Sequence, residues 1–182
     1  IQLAFRNHWI TFNELLDGRV GNKKCLEIGW NVTSLSLKKR KTKIKNKNVN
    51  YIYADFTKID ILKKKIKFNF DYIVNLGGYI DHNLFKEGGR TLIDTHFCSL
   101  QNLVEVLPRH KLKRFVQIGS SDEYGDATAP QHEELREQPI SPYSLAKTAC
   151  THFLQMLHRT ENFPVVILRL FLTYGPGQDS KR

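Results

Sequence analysis

Between residues 31 and 171, short runs rich in β-branched and aromatic residues alternate with longer stretches of helical period, and this alternation constrains the fold more than any other feature of the chain. Residues 31–36, 51–56, 71–78, the run entered at Phe115 and residues 165–171 read as strands. Between them lie a Lys-rich crossing, helical or irregular, at residues 58–69, and a longer helix. Ile93, Phe97, Leu100, Val104 and Leu107 mark one face of that helix, and Pro108 stops it. Parallel strands need long crossover connections, so alternation of this kind predicts an α/β fold, a doubly wound parallel sheet. A chain of 182 residues can build one such domain with a true core, spanning 1–182, and is too short for a full second one. Residues 1–22 are atypical: they suit a short strand, or a helix started by the capping-box spacing Thr11 to Glu14.

One helix carries chemistry as well as packing. Ser141 is a good N-cap, Pro142 suits the first helical position, and Leu145, Ala149, Phe153 and Leu157 recur every four residues as an apolar stripe. Asn162 and Pro164 end it. Tyr143 and Lys147 then share a face, where an ammonium one turn from a phenol favours the phenolate and draws a pKa of ~10 toward neutrality. A tyrosine so placed can act as general acid or base. Taken alone, Tyr-x-x-x-Lys is more often a solvated lysine beside a half-buried tyrosine. Here it has company on both sides. Upstream, Phe115-Val-Gln-Ile-Gly-Ser-Ser-Asp-Glu-Tyr-Gly125 runs from a strand into a hydroxyl-rich turn; downstream, Pro164-Val-Val-Ile-Leu-Arg-Leu-Phe-Leu-Thr-Tyr-Gly-Pro-Gly-Gln178 is a strand followed by another turn.

In that order these three stretches resemble the extended short-chain dehydrogenase/reductases, specifically the NAD(P)-dependent nucleotide-sugar epimerase/dehydratase family. The family's segments S-S/T-x-x-x-Y-G, S-P-Y-x-x-x-K and R-x-F-N-x-Y-G-P-G have counterparts here in the same order and at similar spacing, the active-site Ser/Thr of the first falling on Ser120 when aligned without a gap from Ile118. The resemblance implies a Rossmann-like domain, here incomplete, because family members continue past Y-G-P-G into a C-terminal region that carries much of the sugar site. With Ile1 as its first residue, the chain reads as a fragment at both ends. By resemblance, Ser120 hydrogen-bonds the sugar hydroxyl being oxidised, Tyr143 removes its proton, and Lys147 holds the ribose and the phenolate while hydride passes to NAD or NADP. Asp122 stands where dehydratases and decarboxylases of the family have Glu, and is the further acid/base candidate. Leu172 replaces an Asn that often contacts substrate.

The cofactor-binding positions carried over are Ser36, Asp55, Phe56, Leu76, Gly77 and Gly78, with Tyr143 and Lys147. Ser36 lies where an acidic residue usually meets the ribose 2′-hydroxyl, and with Lys38, Lys39 and Arg40 following it NADP stands beside NAD as an option. Asp55 comes to lie beside the adenine by resemblance, although an Asp at a strand end is also an ordinary turn residue. Leu76, Gly77 and Gly78 replace the family's L-A-A and leave the backbone free to pass close to the ribose. The glycine fingerprint itself falls on Phe12, Leu15 and Gly18, so two of its three glycines are absent and no phosphate-binding residue is carried over. His96 replaces an Asn that orders the site in the family; a packed helical histidine is the plainer reading.

The remaining features restrict partners and compartment. The net charge of +10 is concentrated in residues 38–67. Lys38-Lys-Arg-Lys-Thr-Lys-Ile-Lys-Asn-Lys-Asn48 holds seven basic residues and no aromatic to stack on a base, which favours a solvated loop over a nucleic-acid surface. Cys25, Cys98 and Cys150 are odd in number and widely spaced, and the seven histidines lack ligand spacing, so neither a disulfide framework nor a metal site is expected. No apolar run approaches the ~18 residues of a membrane span, and no signal peptide is visible. The expectation is a soluble cytoplasmic protein with a nucleotide-sugar partner, no membrane and no nucleic acid, and a homodimer open to it. Two other readings stand beside the enzyme. One is a non-catalytic relative that binds dinucleotide or a protein partner, favoured by the broken glycine fingerprint and opposed by the intact Ser120, Tyr143 and Lys147. The other is a basic nucleic-acid-binding module, supported by charge alone.

Overall fold

The computed structural model describes residues 25–37 and 47–172. Phe12, Leu15, Gly18 and the run Lys38-Lys39-Arg40 lie outside the described residues, as do residues 173–182. Strands β1 (Val32–Ser36) and β2 (Val49–Tyr53) pair in parallel from Val32 opposite Val49 to Ser36 opposite Tyr53. After helix α1 (Ile59–Lys65) comes a second sheet in the order β3 (Tyr72–Asn75), β4 (Arg114–Ser120), β5 (Val165–Leu170), again parallel throughout. A helix in three consecutive pieces joins β3 to β4: α2 (Gly89–Ile93), a π-helical turn (Asp94–Cys98) and α3 (Ser99–Val106). Helix α4 (Pro142–Glu161) joins β4 to β5. Parallel pairing with helical crossovers is the α/β class the alternation predicts.

The main core lies where helices meet the second sheet. Leu62 and Ile66 come from the α1 crossing, Leu100, Leu103, Val104 and Leu107 from α3 and its end, and Cys150, Leu154 and Leu157 from α4. They close over Phe115 in the middle of the sheet, which packs its ring against Phe163 at a centroid distance of 5.4 Å. A smaller cluster spans the two sheets, joining Cys25, Val32 and Val49 to Val74. Trp30 stacks on Tyr72 at 5.8 Å in the same region. No helix among the described residues is long and apolar enough to cross a membrane.

Several boundaries differ from the sequence expectation for local reasons. Strand β2 stops at Tyr53, so Asp55 and Phe56 belong to the turn that follows. Strand β3 stops at Asn75, whose side chain takes over bonding: Nδ2 donates to Gln117 Oε1 at 2.9 Å and Oδ1 accepts the Gly77 amide at 3.1 Å. That pulls Leu76 to Gly78 out of the ladder. Helix α4 begins as expected, with Ser141 and Ser144 capping each other reciprocally and Pro142 in the first turn, and it ends at Asn162 in the left-handed conformation.

The stripe assigned to α4 needs correction at its start. Leu145 is 48% exposed, whereas Phe153 is half-buried against the core and Leu157 is buried. The first two turns turn Tyr143, Ala146 and Lys147 inward, followed by Cys150, Leu154 and Leu157. A period search for bulky apolar residues therefore finds the later part of the buried side and misses its beginning.

Candidate active site

Tyr143 and Lys147 lie on the first two turns of α4, both 5% exposed, on the side facing β4. Lys147 Nζ donates to the carbonyl of Ile118 at 2.9 Å and sits 5.7 Å from the centre of the Tyr143 ring. Burial lowers the Lys147 pKa, opposed by Cys150, Glu123 and Asp122 nearby. Ile118 is two residues before Ser120, which ends β4. Ser120 Oγ accepts the Asp122 amide at 3.2 Å, and the Ser120 amide donates to Glu123 Oε1 at 2.9 Å.

Two histidine rings meet the Tyr143 ring edge to face, His96 at 5.3 Å and His82 at 5.7 Å between centroids. His82 Nε2 is also 3.9 Å from Asp122 Oδ2, so Asp122, His82 and Tyr143 share one opening. His96 is buried in the π-helical turn with Nε2 2.9 Å from the carbonyl of Tyr79. Burial, and then the charge of Lys147, bring its pKa down to about 4, leaving a neutral imidazole at pH 7. His96 is thus the packed helical histidine of the plainer sequence reading, but the surface it packs on is Tyr143. Ser120 and Asp122 thus stand at and just after the carboxyl end of β4, and Lys147, with the Tyr143 ring beside it, reaches the same strand at Ile118.

Beside this cluster lies a cavity of about 380 Å³, within the range of small-molecule sites. Its walls include Ser36, Asp55, Phe56, Leu76, Gly77 and Gly78, all six of the cofactor positions outside α4. Asp55 accepts the amide and hydroxyl of Thr57 at 2.9 and 2.7 Å, and those bonds hold its carboxyl below the usual range. It is a turn residue by its bonding and a cavity wall by its position. Gly78 adopts φ +112°, and a Cβ there would stand 1.9 Å from the His96 ring. Only glycine passes that close in that conformation. Tyr79 and His96 line the cavity and also belong to the Tyr143 cluster, so the two regions adjoin.

An apolar slot with an aromatic wall at Phe56, a carboxylate at Asp55 and a hydroxyl at Ser36 fits the flat base and hydroxylated ribose of a nucleoside. Among the described residues no group of three His, Cys, Asp or Glu is placed to hold a metal ion. Two residues of the region, Glu123 and His82, escape a motif reading. Glu123 is fully buried, Arg169 in β5 binds it, and His82 stands on the loop after β3. Glu123 left a signal, since Ser120-x-x-Glu123 is a capping-box spacing, and its partner Arg169 is the arginine that opens the R-x-F-N-x-Y-G-P-G segment. His82 left none.

Comparison with known proteins gives a consistent picture. The dTDP-glucose 4,6-dehydratase of Haemophilus influenzae is 27% identical over 147 residues, covering 70% of this chain and 43% of the dehydratase. The UDP-glucuronic acid 4-epimerase of Bacillus cereus, solved with UDP-glucuronic acid and NAD, is 26% identical with a TM-score of 0.61, covering 73% of this chain and 42% of the other. RMD from Pseudomonas aeruginosa, solved with NADPH, is 25% identical with a TM-score of 0.62, covering 74% and 48%. The chain thus spans less than half the length of each of these three proteins. The model of the NAD dependent epimerase/dehydratase family matches residues 16–182. Parallel sheets, the cavity at their carboxyl ends and a family match that takes in nearly the whole sequence together establish that this chain belongs to the NAD dependent epimerase/dehydratase family.

Proposed function

We propose that this protein uses NAD or NADP to act on a nucleotide sugar as an epimerase or dehydratase, with Ser120, Tyr143 and Lys147 as its catalytic residues. One observation carries the reading: Tyr143 and Lys147 are buried one helical turn apart, with Lys147 bonded to the strand that runs into Ser120. Ser36, Asp55, Phe56, Leu76, Gly77 and Gly78 would hold the cofactor, with Tyr143 and Lys147 at its reactive end. When bound, the dinucleotide supplies a hydride acceptor and donor. Tyr143 takes the proton of the sugar hydroxyl being oxidised and later returns it. The Lys147 ammonium stabilises the phenolate so formed, and burial strengthens that attraction. Ser120 Oγ, which accepts the Asp122 amide, keeps its own proton to donate to the sugar oxygen.

Asp122, 37% exposed at the mouth, would serve a second proton transfer of the kind dehydration requires. Relatives solved with UDP-glucuronic acid and with NAD or NADPH support this substrate class and both cofactors. The test is a single turnover with each dinucleotide against a panel of UDP-, dTDP- and GDP-sugars, followed by the absorbance of reduced nicotinamide. A transient or lasting rise with at least one sugar is expected. Dinucleotide binding with no rise for any sugar would favour the second reading, a non-catalytic relative, for which Phe12 and Leu15 in place of glycines are the specific observation.

A further inference from the structure

Behind Ser120 lies a charged network that the proton transfers do not use. Glu123 is fully buried, and each of its carboxylate oxygens is engaged. Oε1 accepts the Ser120 amide at 2.9 Å; Oε2 accepts Thr151 Oγ1 from α4 at 2.8 Å and Arg169 Nε from β5 at 2.9 Å. The other arm of the Arg169 guanidinium reaches Glu137, in the loop before α4, and its Cζ lies 4.7 Å from the centre of the Tyr124 ring. The same loop returns onto the turn through its backbone, with the Gln138 amide donating to the Glu123 carbonyl at 3.1 Å. Gly125 leaves room for that return at φ +58°, since a Cβ there would stand 1.9 Å from the Gln138 carbonyl oxygen.

Buried ion pairs are poor stabilising devices, because desolvation offsets their attraction and an apolar pair of similar volume is often as stable. What this one does is fix geometry. Ser120 is pinned at two points, its amide by Glu123 Oε1 and its Oγ by the Asp122 amide, and both donors and acceptors belong to the turn that Glu123 closes. Arg169, opposite Gly119 in the β4–β5 register, holds Glu123 from the neighbouring strand. Only a planar fork spans Glu123 and Glu137 together; a lysine offers one point charge.

We propose that Glu123 and Arg169 are positioning residues for the Ser120 hydroxyl, tying the catalytic turn to β5, to α4 and to the loop carrying Glu137. This rests on the role given to Ser120 above, so one of its two readouts is independent of turnover. In Glu123→Gln an amide N–H faces the Arg169 N–H, and in Arg169→Lys the fork is lost while the charge stays. Both variants should keep the far-ultraviolet circular dichroism of the unmodified protein. By amide hydrogen exchange, Ser120 and Gln138 should lose protection by about tenfold or more while Val116 and Ile118 keep theirs, a selectivity that general loosening of the fold does not produce. In turnover, kcat should fall by about 10–10²-fold with KM within twofold, the signature of a misplaced group and not of lost binding. Arg169→Lys, the milder change, should retain more of both signals than Arg169→Met. Uniform loss of protection across β4, or unchanged exchange at Ser120, overturns the proposal whether or not the protein turns over any sugar. If the unmodified protein transfers no hydride, the catalytic reading fails and the exchange result still decides the positioning.

Discussion

A neutral imidazole beside a buried ammonium leaves Tyr143 facing one positive charge instead of two. His96 therefore has a measurable pH signature. Its pKa is about 4 in the folded protein against an ordinary value of 6.5, so between those values the unfolded chain binds the extra proton and folding stability falls as pH drops. The full effect is about 3 kcal/mol, at ~1.4 kcal/mol per pKa unit. Urea midpoints should fall more steeply between pH 6.5 and 4.5 in the native protein than in His96→Asn; equal slopes would remove the argument. Lys147→Met should separate function from stability, lowering both the rate and the affinity for dinucleotide. Because burial already works against the ammonium, the melting temperature should hold or rise. At this scale Ser120, Tyr143 and Lys147, the proposed catalytic residues, could be picked out in the sequence because such side chains recur in fixed spacings. His96 and Glu123 were harder to see, since their importance depends on what the fold brings against them: Tyr143 and Tyr79 for one, Arg169 and Thr151 for the other.

In helix α4 the cap and the later part of the buried side, at Phe153 and Leu157, were legible, and the first turns of that side were not. The Ser141 cap and Pro142 are local signals, written in four consecutive residues, and the structure places the start of the helix there. The start of the buried side is a tertiary matter, decided by how near the helix must come to β4 to bring Lys147 to the Ile118 carbonyl. Ser141→Ala should cost about 1 kcal/mol through loss of the cap, read from the urea midpoint at pH 7. Exposed Leu145 should tolerate Leu145→Gln with a change below about 0.5 kcal/mol, whereas Ala146→Leu, into the packed side, should cost about 1–3 kcal/mol. Were Leu145→Gln the more damaging of the two, the orientation of the helix described here would be wrong. The strand ends were misjudged for a related reason: Asn75 diverts the chain out of β3 with its own side chain, and no periodicity records that.

Across the whole molecule, strand and helix alternation was enough to predict parallel pairing, because few other arrangements bury such runs. The separation into a two-stranded and a three-stranded sheet, bridged by Val74 with Val32 and Val49 and by Trp30 on Tyr72, was not readable from pattern alone. Phe115, fully buried at the centre of the larger core, should be among the costliest truncations of the described residues, at about 3–5 kcal/mol for Phe115→Ala. The cavity beside the Tyr143 cluster and the family match support the function proposed above, hydride chemistry on a nucleotide sugar with Tyr143 moving the proton. Its most direct test compares the native protein with Tyr143→Phe at saturating dinucleotide, measuring binding by protein fluorescence and hydride transfer by the absorbance of reduced nicotinamide on mixing with the responsive sugar. Phe keeps the ring and its packing but has no ionisable hydroxyl, so binding should stay within twofold while the rate falls by at least about 10²–10⁴. A Tyr143→Phe protein that transferred hydride at the native rate would contradict the account.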